Sequence, residues 1–151
     1  ITNEGPKVVE YNCRLGDPEA QAVLPSLESD FLELMDAAAS EELDQHEVRI
    51  DDKYRCCVVL ASDGYPVDYE KGKKITGLDD VDGDTLVFHA GTKAANGDIY
   101  TDGGRVLSVV GKGDTLQQAI NHTYDNVDKI SFANKYFRSD IGAKGLVHLD
   151  E

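Results

Sequence analysis

The sequence predicts an α+β fold: a strand and two helices, then a small, mostly antiparallel sheet packed with one helix. Three observations predict this fold. Apolar and polar residues alternate over 7–13, a capped apolar stripe of helical period follows before residue 48, and strand patterns separated by glycine turns fill the region after it. A chain of 151 residues is long enough for one domain, or for two small ones that share a core.

The first predicted element is a strand over residues 7–13, because every second residue there falls on the same face. The sequence after it predicts a helix, with Asp17 as its N-cap and Pro18 at its first position. Pro25 is expected to end or kink this helix, since proline lacks the backbone N–H that continues the hydrogen-bond pattern.

A second helix is predicted to begin near Asp30, with Glu33 at the capping-box position. Apolar residues then recur at helical spacing and predict a buried stripe. The stripe consists of Phe31, Leu34, Met35, Ala38 and Ala39.

The region after residue 48 is predicted to form the sheet. Residues 54–61 are apolar on both faces, which is typical of a central strand, and residues 85–90 and 105–110 give two further strands. Turns at residues 96–97 and 102–104 are predicted to close hairpins.

The last predicted helix begins at Asp114 as N-cap, with Gln117 completing a capping box. Its apolar positions again follow the helical period, so one face should be buried. They are Leu116, Ala119, Ile120, Thr123, Val127 and Ile130.

Composition excludes several classes of protein. The net charge of −14 argues against binding to nucleic acid or to an anionic membrane, because neither a basic stripe nor an apolar span is present. Three cysteines cannot form a complete disulfide framework, so we expect a reducing, cytoplasmic setting. The chain lacks an initiating Met and is expected to begin inside a fold, as a fragment of a longer protein.

A candidate metal and phosphate site lies in the first predicted strand. Glu10, Asn12 and Arg14 alternate along it and should share one face. A carboxylate and an amide oxygen are hard ligands of the kind that Mg²⁺ takes, and the guanidinium can bind a phosphate through two parallel hydrogen bonds. On spacing alone, so short a pattern is more often the exposed polar face of an edge strand.

A second candidate site is the loop that ends in Gly103, Gly104 and Arg105. Two glycines let the backbone approach a ligand, their N–H groups can form an anion-binding concavity, and the arginine adds a fork for phosphate. The alternative is a glycine hairpin with a surface arginine. The roles of Lys93, Arg138 and Asp140 stay open, and the last two residues could form a simple salt bridge.

Five blocks in a fixed order resemble the phosphoribosylamine–glycine ligases, a family of the ATP-grasp superfamily. The blocks are residues 6–19, 69–78, 88–93, 103–107 and 136–142. One departure is Leu15, where the family usually has Phe. The resemblance implies that residues 1–48 are the C-terminal end of an ATP-grasp domain. Residues 49–151 would then be the small β-rich C-terminal domain of the ligase.

The resemblance also implies chemistry. The family joins glycine to 5-phosphoribosylamine in purine biosynthesis, using ATP to form a glycyl phosphate. It implies Glu10 and Asn12 as ligands of Mg²⁺ or Mn²⁺, Arg14 as the catalytic residue on the transferred phosphate, and the loop from Gly103 to Arg105 as a substrate contact. The nucleotide-gripping part would lie upstream in the same enzyme, so the chain alone is expected to be inactive. The alternative is a non-catalytic binding or assembly module with a scaffold sheet.

Overall fold

The computed structural model of the chain describes residues 2–149, and they form the predicted α+β arrangement of helices and antiparallel sheets. Within this part of the chain none of the helices combines the length and the apolar composition that crossing a bilayer requires. The α-helices are α1 (Glu19–Val23), α2 (Phe31–Ala39), α3 (Leu116–Lys129) and α4 (Ala143–Leu149). The strands are β1 (Tyr54–Ser62), β2 (Lys74–Ile75), β3 (Leu86–His89), β4 (Thr92–Ala95), β5 (Asp98–Thr101), β6 (Arg105–Gly113) and β7 (Lys135–Tyr136).

The strands form two antiparallel sheets. The larger sheet has the order β3-β6-β1-β7, and the smaller one has the order β2-β5-β4. The strand predicted to be central is β1, which pairs with β6 on one side and with β7 on the other. The predicted turn at residues 96–97 does close a hairpin, between β4 and β5.

The core lies between the larger sheet and α3. The predicted stripe of α3 is confirmed, since Ala119, Thr123, Val127 and the following Ile130 are fully buried. They pack with buried residues of β1 and β6 such as Leu60. Burial of this kind contributes about 1.5–3 kcal/mol for each large apolar side chain, which makes this layer the main source of stability.

The first 48 residues contact the larger sheet directly. Helix α1 packs against β1 and β6. The backbone of Leu27 forms a bridge with Ile50, and the N–H of Asp51 donates to the carbonyl of Ser26 at 2.8 Å. Pro25 ends α1 as predicted, because it lies in the 3₁₀ turn Leu24–Ser26 that follows the helix. The boundary at residue 48 stays a prediction, and residues 1, 150 and 151 of the two predicted domains lie outside the described residues.

The predicted strand at residues 7–13 is wrong. Among the described residues 2–149 they have no strand partner, and all of them are exposed; Val9 is 97% exposed. Alternation alone does not make a strand when no neighbouring strand is available for pairing. Asp17 is not a helix cap either, because α1 begins one residue later with Pro18 at the N-cap position.

Three local predictions need smaller corrections. Helix α2 is capped by Asp30 as expected, but Leu34 is the one residue of its predicted stripe that is buried. Ala37 is buried as well, whereas the other predicted members are exposed: Phe31, Met35, Ala38 and Ala39. The capping box of α3 is formed by Thr115 and Gln118, and not by the predicted pair Asp114 and Gln117. Both pairs have the spacing of a capping box, so the sequence pattern did not distinguish them. The loop at residues 102–104 is not a hairpin; it carries the chain from the smaller sheet to the larger one.

Candidate functional site

The candidate metal and phosphate residues lie in the exposed segment 6–15. Because this segment forms neither helix nor strand, the predicted common face of Glu10, Asn12 and Arg14 does not come from strand geometry. Local hydrogen bonds shape it instead. The N–H of Arg14 donates to Oδ1 of Asn12 at 3.3 Å, and Nη1 of Arg14 donates to the carbonyl of Leu15 at 2.8 Å.

The chemistry of these oxygen donors fits a hard divalent cation. Glu10 offers a carboxylate and Asn12 an amide oxygen, which are donors that Mg²⁺ accepts. Across residues 2–149, no three His, Cys, Asp or Glu side chains are grouped closely enough to hold a metal ion. Two protein ligands are typical of magnesium sites in which waters and substrate phosphates complete the shell. The segment is therefore suited to a metal held jointly with a phosphorylated ligand.

The glycines of the second candidate site allow close contacts within the protein. A Cβ on Gly103 would lie 2.8 Å from the Cα of Gly91, so these two backbones touch. A Cβ on Gly104 would lie 2.0 Å from Cδ2 of Tyr65. The need for glycine at both positions thus comes from internal packing, whether or not a ligand approaches.

The two glycines use their backbone carbonyl groups differently from their N–H groups within residues 2–149. Ser62 donates from Oγ to the carbonyl of Gly103 at 3.1 Å and from its N–H to the carbonyl of Gly104 at 2.8 Å. The carbonyls are therefore engaged, but neither glycine N–H donates a hydrogen bond to any residue in 2–149. Gly103 is half-buried and Gly104 is buried, so a ligand would reach Gly103 more readily than Gly104.

Arg105 lies beside a groove of about 270 Å³ that the larger sheet forms with the chain around β7. The walls of the groove are mostly apolar and include the rings of Tyr65, Tyr136 and Phe137. Arg138 also lines it, so two arginines border one concavity of a strongly acidic chain. An apolar groove with a few convergent charged groups is the usual form of a small-molecule site.

Each of these arginines has a carboxylate partner. Nη2 of Arg105 lies 2.7 Å from Oδ2 of Asp17. Arg138 binds Asp140 through two hydrogen bonds of 2.9 and 2.7 Å, and this pairing lowers the pKa of Asp140. The sequence did not indicate Asp17 as the partner of Arg105, because nothing in the local pattern links residues so distant along the chain.

Cys57 lines the same groove but is unsuited to nucleophilic chemistry. Burial raises the pKa of its thiol to about 11, and the neighbouring Cys56 adds to that rise. The thiolate is the reactive form of cysteine, so the neutral thiol present at pH 7 acts as an apolar wall.

Lys93 belongs to a different groove, of about 460 Å³, beside the smaller sheet. Lys71, Asn96 and Asp102 also line it, and Nζ of Lys71 lies 3.6 Å from Oδ1 of Asp102. The structure thus separates Lys93 from the groove that contains Arg105.

Comparisons with known proteins identify the family. Residues 55–144 match the family model described as "Phosphoribosylglycinamide synthetase, C domain". A phosphoribosylamine–glycine ligase of Fusobacterium nucleatum is 48% identical over 145 residues, which cover 94% of this chain and 34% of the relative. A bifunctional purine biosynthetic protein of Pichia angusta is 49% identical over 148 residues, covering 97% of this chain and 19% of that protein.

A solved structure supports the same relationship. The crystal structure of the phosphoribosylamine–glycine ligase of Thermotoga maritima matches with a TM-score of 0.69 and 34% sequence identity. The match covers 91% of this chain and 34% of that one. The chain thus spans about a third of the length of the ligases it matches. It belongs to the phosphoribosylglycinamide synthetase C-domain family.

Proposed function

We propose that the chain forms the C-terminal part of a longer, cytoplasmic phosphoribosylamine–glycine ligase of purine biosynthesis. Membership of the C-domain family over residues 55–144 is the observation that carries the proposal. The groove beside Arg105 supports it, because two arginines of a strongly acidic chain, Arg105 and Arg138, line this concavity, which is large enough for a small phosphorylated molecule. ATP, glycine and 5-phosphoribosylamine are the proposed substrates.

The proposed reaction has two steps. A glycine carboxylate oxygen attacks the γ-phosphorus of ATP, which releases ADP and leaves glycyl phosphate. The amine of 5-phosphoribosylamine then attacks the glycyl carbonyl carbon, an amide bond forms, inorganic phosphate leaves, and the nitrogen loses a proton. Arg14 is proposed to stabilise the negative charge on the transferred phosphoryl group, since a fixed cation stabilises charge that develops in a transition state.

Glu10 and Asn12 are proposed to hold Mg²⁺ or Mn²⁺. Such an ion, when bound, supplies positive charge that neutralises the phosphate oxygens. The exposure of the segment around both residues leaves it accessible to the remainder of the enzyme and to a nucleotide. Both side chains supply oxygen donors, which suits either metal.

Gly103, Gly104 and Arg105 are proposed to contact the phosphate of 5-phosphoribosylamine. Neither glycine N–H donates a hydrogen bond within residues 2–149. Arg105 follows the two glycines in the sequence and lines the groove. Backbone N–H groups and a guanidinium are together the donors that proteins use for phosphate. The rings lining the groove give the ribose an apolar surface to pack on.

The test is ADP release that depends on both glycine and 5-phosphoribosylamine. The longer enzyme containing this chain should turn over, and the isolated chain should not, although it folds. A longer protein that folds but shows no such activity would favour the non-catalytic assembly module instead. Robust turnover by the isolated chain would contradict the proposal that catalysis also requires the upstream, nucleotide-binding part of the enzyme.

The metal assignment has its own matched pair of variants. Glu10→Ala in the longer enzyme should lower kcat by at least about a hundredfold and change the dependence on Mg²⁺, because positioning and charge neutralisation are lost together. Glu42→Ala, which removes another exposed carboxylate, should leave both unchanged. Wild-type metal dependence in Glu10→Ala would remove Glu10 from the site.

A further inference from the structure

The ion pair between Asp17 and Arg105 joins two segments that the proposed function uses for different tasks. The residues lie 88 positions apart, and Oδ2 of Asp17 is 2.7 Å from Nη2 of Arg105. Asp17 immediately precedes Pro18, which lines the groove, and follows the segment that carries the proposed metal ligands. Arg105 is the first residue of β6 and follows the glycine loop.

Asp17 is held in place independently of the ion pair. The carbonyl of Gly16 accepts a hydrogen bond from the N–H of Ala20 at 2.9 Å, which fixes the turn into α1. Helix α1 in turn packs against β1 and β6. The carboxylate is therefore attached to the sheet that carries Arg105, and it can orient that side chain.

The ion pair leaves most of the guanidinium available. An arginine side chain has five N–H donors, and Asp17 accepts a single hydrogen bond from Nη2. No other acceptor in residues 2–149 bonds to this guanidinium. The two side chains are 44% and 41% exposed, so the pair adds little to stability, and its larger effect is on the direction of the guanidinium.

We propose that Asp17 is a positioning residue for Arg105, holding one edge of its guanidinium so that the other donors are directed at the phosphate of 5-phosphoribosylamine. This inference rests on the proposed function. A preoriented arginine loses less conformational freedom when the phosphate binds, so the gain appears in the affinity for that substrate. The nucleotide is held elsewhere and should not respond.

The experiment measures steady-state kinetics of the longer enzyme with each substrate varied separately. Asp17→Ala should raise the KM for 5-phosphoribosylamine by about fivefold, as expected for loss of one exposed charged contact, with little change in the KM for ATP. Asp17→Asn keeps an acceptor oxygen at the same place and should raise it less. Asp98→Ala is the matched control, since Asp98 pairs with Lys74 at 2.8 Å, is 38% exposed and lies on the smaller sheet.

A double-substitution cycle separates positioning from a general structural effect. If Asp17 acts through Arg105, then adding Asp17→Ala to an Arg105→Ala enzyme should raise the KM for 5-phosphoribosylamine no further. An undiminished fivefold increase in that background would overturn the inference, as would equal increases in both KM values. If Asp17→Ala fails to fold, Asp17→Asn decides: a selective, smaller KM increase supports positioning, and wild-type kinetics contradict it.

The outcomes also distinguish this inference from the proposed function. A wild-type enzyme without ligase activity would refute the proposed function itself. An active wild type with a raised KM in Arg105→Ala and unchanged kinetics in Asp17→Ala would refute only the role of Asp17.

Discussion

Arg55 and Asp51 form a two-point ion pair that ties the first strand of the larger sheet to the preceding segment. Nη1 of Arg55 lies 2.7 Å from Oδ1 of Asp51, and Nη2 lies 2.5 Å from Oδ2. Nη2 also donates to the carbonyl oxygen of Pro25 at 2.9 Å. The Arg55 side chain is only 9% exposed, so this cation depends on the carboxylate as its counter-charge.

Because of this ion pair, the free energy of unfolding should decrease at acid pH. The hydrogen bond from Arg55 lowers the pKa of Asp51 from 3.8 to about 2. Because the folded state binds this proton less readily than the unfolded state, the stabilisation is fully present above pH 4 and is lost as the pH falls towards 2. Asp51→Asn should lower the free energy of unfolding at pH 7 by about 1–2 kcal/mol, and the difference from wild type should shrink towards pH 2.

Urea unfolding of both proteins between pH 2 and pH 7 measures this difference directly, because the other carboxylates contribute equally to both curves. Asp52→Asn, which removes a neighbouring carboxylate that is 88% exposed, is the control and should stay close to wild type. A constant gap between wild type and Asp51→Asn at every pH would contradict the assignment.

The contact between Gly91 and Gly103 gives a second prediction. A Cβ on Gly91 would lie 2.5 Å from the Cα of Gly103 and 2.6 Å from the carbonyl oxygen of Arg105. These are backbone atoms that cannot rotate away, so Gly91→Ala should destabilise the chain by about 1–3 kcal/mol. Gly83→Ala is the matched control, because a Cβ there meets nothing within 4 Å. Equal thermal unfolding midpoints for the two variants would show that the contact is not close.

The elements that the sequence predicted best are those whose apolar pattern is continuous along a short stretch of chain. Strand β1 is apolar on both faces, and α3 carries an uninterrupted buried stripe. In both elements the apolar pattern of the sequence matches the side chains that the fold buries. The strand at residues 7–13 fails for the opposite reason. Its alternation is real, but Val9 and Tyr11 are 97% and 82% exposed, and no strand in the described part of the chain pairs with them.

The candidate site was predictable only in part. The sequence predicted that Gly103 and Gly104 let the backbone approach a ligand, which stays a prediction; the groups they approach in the structure, Gly91 and Tyr65, are distant along the chain. The pairing of Asp17 with Arg105 is likewise a product of the fold. Local sequence identifies a residue type suited to a task, whereas its neighbours depend on how the sheets and α1 pack.

Lys135 caps the C-terminal end of α3 and yields a third prediction. Its Nζ donates to the carbonyls of Val127 and Ile130 at 2.9 and 2.6 Å and lies 5.2 Å from the centre of the Phe137 ring. Lys135→Met keeps the length of the side chain but leaves these carbonyls unpaired, which should cost about 2 kcal/mol of stability. Lys74→Met, at an exposed ion pair with Asp98, should change stability by less than about 1 kcal/mol in the same urea titration. Equal losses in the two variants would argue against the cap.

The last prediction concerns the chemistry that Arg105 supplies in the longer enzyme. Arg105→Ala should raise the KM for 5-phosphoribosylamine by about tenfold or more, because a charge-assisted contact to phosphate is lost. Arg105→Lys keeps the charge but removes the planar fork, so it should recover only part of the affinity. The KM for ATP should change much less in both variants, since the nucleotide is proposed to bind the upstream part.

Stability provides the internal control for that experiment. Arg105 is 41% exposed and its partner Asp17 is 44% exposed, so Arg105→Ala should alter the free energy of unfolding by no more than about 1 kcal/mol. A selective rise in one KM without a shift in the unfolding midpoint therefore identifies a substrate contact. Unchanged kinetics towards 5-phosphoribosylamine in Arg105→Ala would contradict the substrate contact. Internal packing would then suffice to explain the glycines at 103 and 104, and Arg105 would be only a surface partner of Asp17.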